Sequence, residues 1–255
     1  MMARRKDPEE SVVRLDRLTI AFGENVIQRD LDFEIVPGTI FAIMGPSGCG
    51  KSTLLRHMIG LHEPAAGRVF LGGEDFWALE QYERNRLLQE VGVLFQGAAL
   101  WSSMTVAENV ALPLELFTDR SPALIADQVA FKLALVGLAG ASDVYPAALS
   151  GGMRKRAGLA RALAMDPKVL FLDEPSAGLD PLSARRLDTL ILRLRATLGV
   201  TVVMVTHELD SLFAIADDCL YLDPETKTAI ARGSPRDLQK HSEHAQVREF
   251  LNTRS

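Results

Sequence analysis

The segment Gly45-Pro46-Ser47-Gly48-Cys49-Gly50-Lys51-Ser52, with Thr53 directly behind it, has the composition of a phosphate-cradling loop. Its glycines leave room for backbone N–H groups to converge on a phosphate, and a helix opening near Lys51 aims its positive end at the same place. Lys51 has the reach to bridge β- and γ-phosphates, and the Ser52 hydroxyl is a ligand for Mg²⁺. Further along, Val169-Leu170-Phe171-Leu172 runs straight into Asp173-Glu174. A strand ending there delivers Asp173 to the metal shell and Glu174 to a water molecule that it can polarise. Alone, an apolar run ending in two acids is an ordinary strand meeting solvent. Behind a phosphate loop on the same chain, it supplies the second half of a nucleoside triphosphate site. A P-loop kinase would deliver a substrate hydroxyl and needs no such base, so ATP or GTP hydrolysis is the expected reaction.

These groups have to be carried by strand ends and helix starts. Apolar runs of strand length alternate with helical patterns, which predicts an α/β fold with a parallel sheet covered on both faces. Residues 39–44, 91–95, 169–172 and 201–205 are the expected central strands, and 218–222 and 228–231 the expected closing edge strands. Leu187, Leu190, Ile191, Leu194 and Leu198 recur at three- and four-residue steps, the stripe of a surface helix from Pro181 to Leu198. Residues 105–142 have helical periodicity without strands, broken at Pro113 and Pro122, and are expected to form a helical insert.

Leu149-Ser150-Gly151-Gly152-Met153, followed by Arg154-Lys155-Arg156 and a helical stretch to Ala164, resembles the signature loop of ABC ATPases. The resemblance runs from about Val12 to Arg232 and takes in further positions in order. Phe22 stands where the family stacks an aromatic ring on adenine, Gln96 matches the Q-loop, Asp180 the D-loop, and His207 the switch histidine. Alone, a Ser-Gly-Gly turn, a loop glutamine and a histidine after a strand are each unremarkable. The resemblance implies a RecA-like P-loop core with an antiparallel β subdomain and an inserted α-helical subdomain. It implies ATP and Mg²⁺ as ligands, with Gln96 joining Ser52 and Asp173 around the metal. Lys51, Gln96, Glu174 and His207 are then the expected catalytic set. Ser150, Gly151, Gly152 and Asp180 would act on ATP held by the opposite subunit of a head-to-tail homodimer. Met153 in place of the common Gln, and Phe22 in place of the common Tyr, depart from the family pattern away from the reacting atoms. Phe22 still offers a ring for stacking.

The chain of 255 residues has a formal charge of −5, which argues against a nucleic-acid-binding face. Cys49 and Cys219 stand far apart in no ligand spacing, as in a reducing compartment. No apolar run approaches the ~18 residues of a membrane span, and none follows the first residues as in a secretory signal. Arg4, Arg5 and Lys6 form either a solvated tail or a weak contact with anionic lipid. The expected organisation is therefore an ATPase domain over 12–233, with an insert at about 97–157, and a helical tail over 234–255. The tail is either a plain cap or an arm gripping a neighbouring subunit. A single ATPase core without a coiled-coil insert resembles a separate engine subunit on the cytoplasmic face of a membrane, working with an integral permease. Residues 92–101 and 104–110, Met153 and Val247-Arg248-Glu249-Phe250-Leu251 resemble the Mla/MCE-type lipid-transport ATPases of bacterial inner membranes. That resemblance implies a periplasmic MCE-type lipid-binding protein and a small accessory cytosolic subunit as further partners. Ser176-Ala177-Gly178-Leu179-Asp180 reads instead like a general ABC importer, and an engine of a non-transport complex, as in cell division, stays open. Phe95, Leu100 and Trp101 are either ordinary core or part of a groove for a permease segment.

Overall fold

A computed structural model describes residues 11–253 of the chain. The expectation for Arg4, Arg5 and Lys6 lies outside the described residues. Strands β1 (Val13–Phe22), β2 (Asn25–Ile35), β4 (Ala66–Leu71) and β5 (Glu74–Asp75) form an antiparallel sheet in the order β2-β1-β4-β5. The second sheet has six strands in the order β10-β9-β3-β8-β7-β6. Of these, β3 (Ile40–Met44), β6 (Val91–Leu94), β7 (Val169–Asp173), β8 (Thr201–Val205) and β9 (Asp218–Asp223) run parallel, and β10 (Thr228–Gly233) closes one side antiparallel.

Every residue of β3, β7 and β8 is buried, as expected for strands covered on both faces. The pleat divides their side chains between two cores. Ile40, Ala42, Met44, Leu170, Leu172, Val202 and Met204 pack with the helical side of the molecule. Phe41, Ile43, Phe171, Val203 and Val205 join Leu54, Leu55 and Met58 of α1 (Lys51–Met58) and the inner face of the antiparallel sheet. The order of strands differs from the expectation in one respect. The strand at 218–223 is not an edge but lies between β10 and β3, whereas the strand at 91–94 is the edge. Both are short apolar runs, and only tertiary pairing decides which one ends the sheet.

The insert contains α3 (Val106–Phe117) and α4 (Pro122–Leu135), followed by α5 (Gly151–Ala162), which carries the signature residues. Pro122 begins α4 behind Ser121, whose hydroxyl caps it, so a break falls there as expected. Pro113 does not break α3, which continues through it. The missing N–H costs one helical bond, and the buried stripe Val106, Val110 and Leu114 holds the helix in place. Helix α6 spans Pro181–Leu198, bounded by the Asp180 cap and by Gly199 at φ 67. A short α7 (Leu209–Ile215) follows β8.

The tail forms α8 (Pro235–His241) and α9 (Ala245–Asn252). The apolar face of α9 packs on its own chain. Val247 and Leu251 are buried in the helical-side core, and Phe250 meets the Tyr221 ring edge-on at 5.4 Å. An eight-residue helix is stable only through such packing. Leu251→Ala is therefore expected to cost about 2–5 kcal/mol of folding stability, the usual range for a buried leucine. Urea denaturation checks this, and an unchanged midpoint would show that the helix is held elsewhere.

Candidate functional site

The parallel pairing sets Ile43 and Asp173 both level with Val205, so the ends of β3, β7 and β8 open at one edge of the sheet. The phosphate loop leaves β3 at Gly45, whose φ is +144 and where a Cβ would stand 2.5 Å from the Leu222 carbonyl oxygen. Only glycine passes there. Lys51 is buried, and its Nζ donates to the carbonyls of Gly45 and Pro46 at 2.9 Å each. Two of its three donors are used within the loop, which leaves one for a phosphate oxygen. Cys49 is a buried spacer rather than a reactive thiol, since burial pushes its pKa up. Its carbonyl accepts a 2.7 Å bond from Gln28 Nε2, a fully buried side chain on β2.

The Ser52 hydroxyl donates to Asp173 Oδ1 at 2.7 Å, which brings two hard oxygen donors from α1 and β7 together. That donor set fits Mg²⁺, which is commonly held by one or two protein oxygens with phosphates and water completing the octahedron. Among the described residues, no group of three or more His, Cys, Asp and Glu side chains forms a metal cage.

Glu174 follows in the left-handed region at φ 49, a strained conformation for a residue with a side chain. Its amide donates to the Val205 carbonyl at 2.9 Å, and its carbonyl accepts from Lys155 Nζ at 2.9 Å. The carboxylate turns toward His207, with Oε1 2.8 Å from Nδ1. An ionised carboxylate only accepts, so Nδ1 carries the proton. Glu174, His207, Gln96 and residues of the phosphate loop from Gly45 to Thr53 line one cleft of about 500 Å³, with Ile27 and Phe250 in its wall.

Other expected residues stand apart from this cleft. Phe22, at the end of β1, is 53% exposed and meets His62 and His57 edge-on at 6.0 and 6.4 Å. Burial lowers the pKa of His57. Ser150 caps α5, its Oγ accepting from the Met153 amide at 3.2 Å, which leaves the hydroxyl proton free to be donated outward. Asp180 caps α6, accepting from the Leu182 and Ser183 amides at 3.0 Å each. The Ser183 side chain, and then its amide, hold the Asp180 carboxyl below the ordinary carboxylate value. Ser150 and Gly152 line a separate cavity, and Gly151 lines another beside Gln96. The chain thus assembles the phosphate loop, the oxygen pair and the Glu174–His207 pair, and leaves the signature residues facing elsewhere.

The profile of the ABC transporter family matches residues 28–177, more than half of the chain. The chain belongs to the ABC transporter family. A probable ribonucleotide transport ATP-binding protein, mkl, of Mycobacterium tuberculosis is 38% identical over 242 residues, covering 95% of this chain and 67% of that one. The intermembrane phospholipid transport ATP-binding protein MlaF of Haemophilus influenzae is 37% identical, covering 96% of this chain and 92% of MlaF. The methionine import ATP-binding protein MetN of Xylella fastidiosa is 41% identical over 221 residues, covering 87% of this chain and 65% of MetN. Among solved structures, cbiO1 of Clostridium perfringens superposes with a TM-score of 0.83 at 26% identity, over 92% of this chain and 93% of that one. The ATP-binding cassette MJ0796, solved as a dimer with ADP and Pi, has a TM-score of 0.78 at 28% identity, over 87% of this chain and 98% of that one. The protein is an ABC-type ATPase subunit resembling those of the Mla systems. Among the described residues no helix is long and apolar enough to cross a membrane.

Two residues of this ABC ATPase escaped the sequence reading. Gln28 carries no motif and looks like any polar residue of an alternating strand. Lys155 enters only as part of the signature segment, with no role of its own, yet it is only 5% exposed. Burial lowers its pKa, and the neighbouring Asp173 and Glu174 charges oppose that shift.

Proposed function

We propose that this ATPase works as a homodimer, hydrolysing MgATP to drive a lipid-moving permease from the cytoplasmic face of a bacterial inner membrane. The observation that carries the chemistry is the arrangement at the cleft, with a phosphate loop after β3 and, at the end of β7, Asp173 bonded to Ser52 and a polarising carboxylate on Glu174. Lys51 and the loop amides from Gly45 to Thr53 hold the β- and γ-phosphates, and the exposed Phe22 ring stacks on adenine. Ser52, Asp173 and Gln96 hold Mg²⁺, which when bound neutralises charge building on the phosphate oxygens. Glu174 polarises the attacking water, and His207, fixed through Nδ1, holds the γ-phosphate. Glu174→Gln keeps the side chain's shape but weakens its pull on water. The expected result is MgATP binding close to normal with hydrolysis slowed about 10²–10⁴-fold. Normal turnover would sink Glu174 as the base.

The signature residues complete the site from the other subunit. The Ser150 hydroxyl, with its proton free, and the N-terminus of α5 suit the partner's γ-phosphate, and Gly151, Gly152 and the Asp180 turn border it. A heterodimer with Lys51→Ala in one chain and Ser150→Ala in the other should keep one of its two composite sites intact on this reading. Placing both changes in one chain should damage both sites. Equal activity from the two arrangements would refute the shared site.

The lipid reading rests on extent of likeness. The match to MlaF covers 92% of that protein and 96% of this chain, whereas the match to MetN covers 87% of this chain and 65% of MetN. A groove of about 400 Å³, walled by Val93, Phe95, Pro113, Phe117 and Met165, suits an apolar segment of the permease. Trp101 lies outside that wall and is 58% exposed. Mass spectrometry of the complex purified from membranes should find a permease, an MCE-type periplasmic protein, a small cytosolic subunit and phospholipid. Recovery of a methionine-binding partner or of division proteins would overturn the lipid reading and leave the ATPase untouched.

A further inference from the structure

Helix α5 does more than present Ser150. Its Gly158 lies so close to the loop after β6 that a Cβ would stand 2.7 Å from Leu94 Cδ1 and 3.1 Å from the Ala98 Cβ. Two turns of this helix send cations into the same loop. Arg161 donates to the carbonyls of Ala98 and Ala99 at 3.0 and 2.8 Å, and Lys155 Nζ donates to the Gln96 carbonyl at 2.6 Å. Ala98 and Ala99 both sit at positive φ, 60 and 49, a backbone shape that these bonds help to hold. Helix and loop therefore form one body, because a displacement of either breaks several charge-assisted bonds at once.

Lys155 also reaches out of that body. The same ammonium donates to the carbonyl of Glu174 at 2.9 Å, at the residue whose φ of 49 turns the chain at the end of β7. A fixed carbonyl fixes the peptide plane that follows Glu174, and with the Glu174 amide bond to Val205 it locks both sides of this strained residue. The direction of the carboxylate depends on that lock. Burying an ammonium is costly unless acceptors surround it, and here the two acceptors come from two different functional segments.

We propose that Lys155 is a positioning residue that ties the placement of the signature helix and Gln96 to the aim of Glu174. The proposal rests on the reading of Glu174 as the base. When α5 closes on the partner's nucleotide, the bridge carries that movement to the Gln96 backbone and to Glu174 together. Hydrolysis is then possible only when the helix is seated. Misplacing a reacting group by about an ångström costs up to about 10²-fold in rate.

The test is steady-state kinetics of the full-length dimer with its membrane partners. Lys155→Met keeps the length of the side chain and removes every donor. It should lower kcat for ATP about tenfold to a hundredfold while KM and nucleotide affinity stay within about twofold. Lys155→Arg restores the donors and should recover most of kcat. Unchanged kcat in Lys155→Met, or a parallel loss of affinity and kcat that Lys155→Arg does not rescue, would overturn the bridge. If Lys155→Met does not fold, hydrogen exchange of the unaltered protein decides. Amides of residues 97–99 and of Ser176 and Ala177 should change protection together when MgATP is added, and a response in one segment alone would overturn the proposal. Glu174→Gln run alongside separates the two ideas. Fast turnover there refutes the base, whereas slow turnover there with unimpaired Lys155→Met refutes only the bridge.

Discussion

The level pairing of β3, β8 and β7 is what the rest of the molecule is built around. Parallel ladders have evenly spaced bonds, so once Ile43 faces Val205 and Asp173 faces Val205, three chain segments must leave the sheet at one height. The first becomes the phosphate loop, the second supplies Asp173 and Glu174, and the third leads to His207. Slipping one strand by one residue would turn its side chains to the opposite core. Both cores resist that slip, because both faces of these strands are fully buried. The geometry of the site is thus enforced by apolar packing some distance from any reacting atom.

A second constraint acts on the backbone. Gly45 passes under Leu222 only because it has no side chain, while Glu174 keeps its side chain in the left-handed region. Such a conformation costs on the order of 1–3 kcal/mol and persists only where neighbours over-determine it. At Glu174 the neighbours are the Val205 carbonyl and His207, both at the end of β8, and Lys155 from α5. The strain sits at the residue whose carboxylate is proposed to polarise the water.

Much of this was legible in the residues, for reasons that differ from element to element. The buried strands announce themselves as unbroken apolar runs, and α6 shows itself in the apolar stripe from Leu187 to Leu198 behind Pro181. The phosphate loop and the Asp173-Glu174 pair are local, so their types and order suffice. The position of β9 inside the sheet and of β6 at its edge was not legible, since strand order depends on contacts between distant segments. The strands β1 and β2 were implied by family resemblance rather than read from their residues. Register shifts near Leu15, Leu18 and Ile20 interrupt the alternation that would have marked them. Pro113 looked like a stop because propensity is a local statement, and tertiary packing of α3 overrode it. Lys155 was invisible because a lysine between two arginines gives no sign of being buried.

The polar groups of the cleft are matched to one another in a way that bears on how a nucleotide enters. Lys51 is bonded to its own loop, Ser52 to Asp173, and Glu174 to His207. No charged group of this set depends on solvent alone. A triphosphate has to exchange these bonds rather than fill unmet ones, and it does so on favourable terms. Hydrogen bonds from an ammonium to an anionic phosphate oxygen are stronger than those to a neutral carbonyl. A divalent cation would find the Ser52 and Asp173 oxygens already side by side. For the Glu174–His207 pair, the phosphate offers the imidazole a competing anion. Each of these side chains is thus aimed by a protein partner, so a ligand exchanges bonds whose geometry is already set.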